Sequence, residues 1–276
     1  MRRARPWLIG LTVALSSLAG WAVVIEPGQV TIRSSEIAPA RWPASLSGTR
    51  IALLGDIHTG APHISPDKLR AIVAETNAAN PDVVVLLGDY VIHGVVGGDF
   101  VAPEITAEIL AGLRAPGGVT AVLGNHDWWY DGPRVRRALE ARGIVVLENA
   151  ARSVRLPAGT VWLAGLADLW TRQPDIAGSL ATVPSGAPVI LLTHSPDVFP
   201  DVPLRVTLTL AAHTHGGQVR IPPFRAPVVP SRFGSRYAAG HVVESGRHLF
   251  VTTGVGTSIL PVRFAVPPEV ALLTLR

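Results

Sequence analysis

Five short groups hold most of the chain's capacity for chemistry: Gly55-Asp56-Ile57-His58, Gly88-Asp89-Tyr90, Gly124-Asn125-His126-Asp127, Thr193-His194 and Ala212-His213-Thr214-His215-Gly216-Gly217. Five of the nine histidines fall in these groups; His63, His93, His241 and His248 do not. Carboxylate, amide oxygen and imidazole without any thiolate suit Mn, Fe or Zn held by nitrogen and oxygen ligands. Asp56 and His58 are two residues apart, as are His213 and His215, so in extended chain each pair points one way. One group alone says little, because a lone Gly-Asp after a strand is ordinarily a turn and a lone buried histidine is ordinarily hydrogen-bonded. Five groups in one chain point to a shared metal-binding edge.

The elements that must position them read clearly. Ile51-Ala52-Leu53-Leu54 and the run Val83–Leu87 are continuously apolar, as strands buried on both faces are. Between them Ser65 is a helix N-cap, Pro66 the first helical residue and Asp67 an early acid; Leu69, Ile72, Val73 and Thr76 recur at helical spacing until Pro81. This is a βαβ unit whose strands end at Gly55-Asp56 and Gly88-Asp89. Further strands are expected at 119–123, 144–147, 152–156, 161–165, 188–192, 206–211, 241–244, 248–252 and 270–275, with helices near 103–113 and 133–142. Each chemical group thus follows an apolar run, at the edge where sites in open α/β sheets assemble. The strand-rich second half favours an α/β fold of mixed sheets over a purely parallel one.

Composition narrows the classes further. The 276 residues, 48% hydrophobic and 16% charged, can bury a sizeable core and lack the signature of disorder. The absence of cysteine excludes disulfides, thiolate zinc sites, Fe–S clusters and cysteine nucleophiles. One lysine, Lys68, accompanies 23 arginines, a bias that fits base composition better than a binding surface. Arg2, Arg3 and Arg5 precede an uncharged run over residues 6–25, flanked by Trp7 and Trp21 and closed by Glu26-Pro27-Gly28. Twenty residues at 1.5 Å per residue just cross roughly 30 Å of hydrocarbon. Residues 1–26 therefore read as a membrane anchor, or as a signal segment cleaved after Ala19, and residues 27–49 as a connector containing one short strand. The arginines preceding the run place the N-terminus in the cytoplasm and the rest of the chain outside.

The ordered series over residues 50–276 resembles the calcineurin-like metallophosphoesterase superfamily, whose motifs run D-x-H, G-D, G-N-H-[DE], H and G-H-x-H. The segments His213–Gln218 and Thr253–Ser258 are similar to its bacterial membrane-linked branch; Ala212 departs from the usual glycine without removing a ligand. The resemblance implies a four-layer αββα sandwich of two mixed sheets flanked by helices, with residues 50–276 as the catalytic domain. It implies two divalent ions: Asp56, His58 and His215 on one, Asn125, His194 and His213 on the other, and Asp89 bridging. Two such cations acidify a bridging water and clamp phosphoryl oxygens. His126 would contact phosphate and assist the leaving group, and Asp127 would orient that imidazole or accept hydrogen bonds from elsewhere.

The implied activity is metal-dependent hydrolysis of a phosphodiester or pyrophosphate on an amphiphilic, envelope-associated substrate. Its setting would be the outer side of the bacterial cytoplasmic membrane. Two alternatives stand beside it: a hydrolase of UDP-2,3-diacylglucosamine pyrophosphate in lipid A synthesis, and a catalytically silent, membrane-tethered binding module. Nucleic acid is not expected, since no groove-type interleaving of aromatic and basic residues is present. Trp128, Trp129 and Tyr130, read as a loop after the third group, are expected to place at least one aromatic at the site mouth or the bilayer. Arg220 and Arg225, with Arg232 and Arg236, are candidates for binding a phosphate or an anionic headgroup.

Overall fold

The computed structural model describes residues 6–92 and 94–276; His93 and the arginines Arg2, Arg3 and Arg5, on which the expected orientation rests, lie outside the described residues. In chain order the helices are α1 (Pro6–Gly20), α2 (Pro66–Ala78), α3 (Pro103–Leu110), α4 (Asn125–Glu140) and α5 (Ile176–Leu180). The strands are β1 (Thr31–Ile37), β2 (Arg50–Leu54), β3 (Val83–Leu86), β4 (Val119–Ala121), β5 (Val145–Val146), β6 (Ala150–Leu156), β7 (Gly159–Gly165), β8 (Val189–Leu192), β9 (Leu208–Ala211), β10 (Gly240–Glu244), β11 (Arg247–Val251) and β12 (Glu269–Leu275).

They form two six-stranded mixed sheets, ordered β1-β12-β2-β3-β4-β5 and β10-β11-β9-β8-β7-β6. Strands β2 to β5 run parallel, as do β7, β8 and β9. Alternate residues explain the layers. Ile51, Leu53, Val83 and Val85 meet Leu163, Ile190, Leu192 and Leu208 between the sheets. Leu54, Val84 and Leu86 face outward onto Leu69 and Ile72 of α2, Leu110 of α3 and Leu139 of α4. On the far side Leu191, Ala211 and Val251 are covered by Leu180 of α5, Phe199 and Tyr237. The result is the four-layer αββα sandwich, with the second outer layer built from shorter pieces. Each fully buried Leu, Ile or Val contributes about 1.5–3 kcal/mol over its exposed state.

Helix α2 follows the sequence closely: Ser65 Oγ accepts from Lys68 N at 3.2 Å, and Leu69, Ile72, Val73 and Thr76 are buried. Helix α4 differs. It starts at Asn125 rather than near 133, so Trp128, Trp129 and Tyr130 lie on helix and not on a loop. Pro133, lacking an N–H, is the reason for a break at Asp131 (φ −167°), whose side chain accepts from Arg134 N at 3.0 Å. The helix expected over 133–142 is the segment after this break.

The N-terminal run is helical through α1, a wider turn (Trp21–Ile25) and a 3₁₀ turn (Glu26–Gly28). Trp7–Gly28 is long and apolar enough to cross a membrane, and its side chains from Trp7 to Ile25 are mostly exposed. Its end is fixed to the sandwich. Buried Glu26 accepts from the backbone N–H groups of Ala265 and Val266 at 3.1 and 2.8 Å, and Arg263 N donates to Ala22 O. The segment after it supplies β1, paired in parallel with β12 from Thr31 to Ile37.

Candidate metal centre

Strands from both sheets deliver the five groups to one place. Asp56 and His58 follow β2, Asp89 follows β3, Asn125 follows β4, His194 follows β8, and His213 and His215 follow β9. Neighbouring strand ends are laced together: Asp56 N donates to Gly88 O, His58 N to Asp89 O, and Ala212 N to His194 O. The expected extended geometry does not hold. Asp56, His58, Asp89, His213 and His215 all have positive φ, between 45° and 71°. Five non-glycine residues in the left-handed region mark backbone strain maintained by the surrounding structure, a pattern concentrated at functional sites.

The seven residues and His126 converge as buried side chains. Three overlapping sets place one ligand atom per residue within 4.8 Å of one another: Asp56, His58 and His215; His58, Asp89 and His126; and Asp89, His194 and His213. Asn125 joins the last set, its Oδ1 lying 3.1 Å from His194 Nε2. Outer bonds set the imidazoles. His58 Nδ1 donates to Val91 O at 3.3 Å and His194 Nδ1 to Leu87 O at 2.7 Å, so each ring turns Nε2 inward. His213 turns Nδ1 toward His194 Nε2, 3.1 Å away, and His215 turns Nε2 toward Asp56 Oδ1 at 3.8 Å. Asp56 Oδ2 and His58 Nε2 are buried without a hydrogen-bond partner among the described residues. Buried polar atoms left so are costly, and a cation is the partner that this set of donors fits.

The electrostatics of the metal-free cluster divide its members. Burial, with nearby His126, lowers His58 to about 3; burial, with His194, lowers His213 to about 3; burial and His58 hold His215 well below the usual imidazole range. These three rings are therefore neutral, as metal ligands must be. Burial opposes charge on His194, yet Asp89 beside it lifts it to about 10. Burial would raise Asp89, but His194 holds it well below the carboxylate range. Burial and Asp89 raise Asp56 to about 7.

A cavity of about 240 Å³ opens over this cluster, lined by Asp89, Asn125, His126, His213 and His215 below and by Trp129, Trp170, Val228 and Ile259 at its rim. Trp129 meets His126 and Trp170 meets His213 edge-on, with centroids 4.9 and 4.7 Å apart. Of the expected aromatics, Trp129 reaches the mouth. Trp128 does not: it packs against the outer core beneath Arg172, because Gly132 four residues on leaves room for its ring. Arg220 and Arg225 do not line this cavity either; with Arg33 they border a separate one. Asp127 takes the second of its two expected roles. Its carboxylate accepts from the backbone N–H groups of Gly124, Asp89, Tyr90 and Val91, fixing the turn that carries Asp89.

Three supports were not found from sequence. Buried Asp168 accepts from Trp170 N, Thr171 N and Thr171 Oγ1 and so shapes the Trp170 turn; its signal was the position after β7, like the other strand-end aspartates. Arg263, fully buried, donates to the carbonyls of Thr253, Gly254, Gly256 and Val266. Glu269 accepts from Thr252 Oγ1 and Thr253 N. Together the last two hold the loop against Asp56, and nothing local distinguishes them in sequence.

The sequence pattern of the calcineurin-like phosphoesterase family matches residues 49–217. Metallophosphoesterase YkuE of Bacillus subtilis (strain 168) is 30% identical over 284 residues, covering 99% of this chain and 97% of that one. Phosphodiesterase YaeI of Escherichia coli (strain K12) is 30% identical over 272 residues, covering 96% and 95%. Both represent the bacterial branch expected from the segments 213–218 and 253–258. The NAD nucleotidase of Haemophilus influenzae shares the fold with a TM-score of 0.50 at 15% identity, over 75% of this chain and 50% of that one.

Proposed function

The chain belongs to the calcineurin-like phosphoesterase family, a metal-dependent phosphoester hydrolase, and from that premise we propose that it cleaves phosphodiester or pyrophosphate bonds of an amphiphilic, envelope-associated substrate at a two-metal centre. Asp56, His58 and His215 would hold one divalent ion and Asn125, His194 and His213 the other, with the Asp89 carboxylate available to both. Mn, Fe or Zn bound there supplies Lewis acidity toward phosphoryl oxygens and acidifies the attacking water. The carrying observation is the convergence of seven buried ligand residues, with Asp56 Oδ2 and His58 Nε2 left without a hydrogen-bond partner among the described residues.

The chain's own residues do the rest. His126, on the first turn of α4 and in the cavity wall, donates a proton to the leaving oxygen. Asp127 positions Asp89 through its backbone. Trp129 and Trp170 offer an apolar wall with polar N–H edges, suited to a substrate with an acyl portion. Trp7–Gly28 is read as a retained anchor, and the arginines preceding it in sequence favour an extracytoplasmic catalytic domain.

Hydrolysis of bis(p-nitrophenyl) phosphate by the full chain, with and without Mn²⁺, tests the activity. Metal-dependent turnover abolished in Asp89→Asn is expected. Turnover that ignores chelator, or none with any of the three metals, contradicts the reading.

A further inference from the structure

Four arginines follow the last histidine motif, and the structure divides them. Arg236 forms a two-armed pair with Glu244 at 2.8 Å, and Arg232 donates to Asp197 O at 2.8 Å beside Asp201. Arg220 and Arg225 make no ion pair among the described residues. They instead border a cavity of about 250 Å³ together with Arg33 of β1, which has the Glu269 carboxylate 3.9 Å away. Three guanidinium groups from three parts of the chain, around a space large enough for a phosphate and its ester carbons, favour an anion held by paired N–H donors.

The position of this cavity identifies the source of the anion. Ala265 and Val266 form one wall, and they are the residues whose backbone N–H groups grip Glu26 at the end of the N-terminal helix. Arg220 is tied to the same strip, its N–H donating to Phe264 O at 2.8 Å. Between and beyond the two arginines the loop exposes Ile221, Phe224 and Val228 by 57, 71 and 74%. Bulky apolar side chains beside arginines, next to the exit of an apolar helix, are the composition of a surface at the bilayer boundary. The cavity shares no ligand with the metal cluster; loop residues 217–228 separate the two.

We propose that Arg33, Arg220 and Arg225 form a binding site for the phosphate of an anionic lipid headgroup at the foot of the N-terminal helix. The bound headgroup holds the loop onto the membrane and so sets the metal cavity at the bilayer surface. The inference rests on the reading of Trp7–Gly28 as an anchor.

Native mass spectrometry of the full chain in non-ionic detergent, titrated with phosphatidylglycerol or phosphatidylcholine of equal acyl length, tests it. The variant Arg33→Gln/Arg220→Gln/Arg225→Gln is compared with a charge-matched control, Arg70→Gln/Arg114→Gln/Arg137→Gln. Wild type and control prefer phosphatidylglycerol, and the cavity variant loses that preference by at least about tenfold, while both variants hydrolyse a soluble diester normally. Equal preference in the two variants overturns the site, as does sn-glycerol 1-phosphate displacing the lipid at matched concentration, which would make a soluble anion the occupant. Carbonate extraction of membranes reports on the anchor separately. A chain retained in the pellet with unaltered lipid preference overturns the headgroup site alone; a chain released overturns the anchor and the site together.

Discussion

Asp127 and Asp89 hold each other's turns in place: the Asp127 carboxylate accepts from Asp89 N at 2.8 Å, and Asp89 Oδ1 accepts from His126 N at 2.9 Å. The exchange joins the end of β3 to the first turn of α4. It also orients the carboxylate proposed to bridge two cations, so a residue that touches no substrate governs the centre of the site.

Replacing Asp127 with Asn tests this. An amide NH₂ facing backbone N–H groups leaves donors unsatisfied, at a cost of about 1–3 kcal/mol. A lower melting temperature, weaker metal retention and reduced kcat are expected, with the pH–rate profile keeping its shape. A shifted profile with normal metal content would instead make Asp127 a catalytic acid or base.

Gly254 has φ +73°, and a Cβ there would lie 2.7 Å from Asp56 Cβ and Oδ2. Gly254→Ala should displace the Asp56 carboxylate and cost about 1–2 kcal/mol from the left-handed backbone alone. Loss of one metal ion per chain, measured by elemental analysis, is the expected sign. Full metal content and unchanged melting would show that the loop does not brace Asp56.

The aromatic residues separate into two roles. Trp129→Ser should leave hydrolysis of a small soluble diester within about twofold and reduce that of an acylated diester about tenfold, the share a lost aromatic contact of 0.5–1.5 kcal/mol allows. Trp128→Ser should lower stability by about 2 kcal/mol, roughly half the cost of truncating a fully buried aromatic, and affect both substrates alike. Equal losses on both substrates in Trp129→Ser would remove the argument for an acylated substrate.

The exposed hairpin of β10 and β11 carries a histidine pair, His241 Nε2 facing His248 Nδ1 at 3.0 Å. Burial and His248 lower His241, and burial lowers His248. The folded values lie below the unfolded value near 6.5, so the neutral rings stabilise the fold above about pH 6.5. That contribution is lost as pH falls, because the unfolded chain takes up protons first. His248→Gln should therefore show a smaller drop in melting temperature between pH 7.5 and 5.5 than wild type; an identical drop would assign the acid sensitivity elsewhere.

Much of the site was legible because its ligands directly follow short apolar runs, rich in Val, Ile and Leu and some of them closed by Gly-Asp or Gly-Asn, which read as buried strands with their ends at one edge. The helix α2 was legible for a similar local reason, from Ser65 and Pro66 to the spacing of Leu69, Ile72 and Val73. What was not legible depends on contacts across the fold. The positive φ values of Asp56, His58, Asp89, His213 and His215 are imposed by neighbouring loops, against the intrinsic preference of each residue. The start of α4 depends on Asp127 gripping Gly124 and the Asp89 turn, which outweighs the poor helix propensity of Asn-His-Asp-Trp-Trp. Arg220 and Arg225 were legible as candidates for a phosphate or an anionic headgroup, but not the side of the histidine motif on which they lie. Loop residues 217–228 turn them to the other side.

The central claim is the two-metal centre, and metal content measured with activity on one preparation tests it most directly. Inductively coupled plasma mass spectrometry of the dialysed full chain should find two ions of Mn, Fe or Zn per chain. Asp89→Asn should retain fewer than one and lose activity by at least about 100-fold, the upper end of what disturbing even an outer partner costs. An Asp89→Asn protein that keeps two ions and turns over normally would contradict the account.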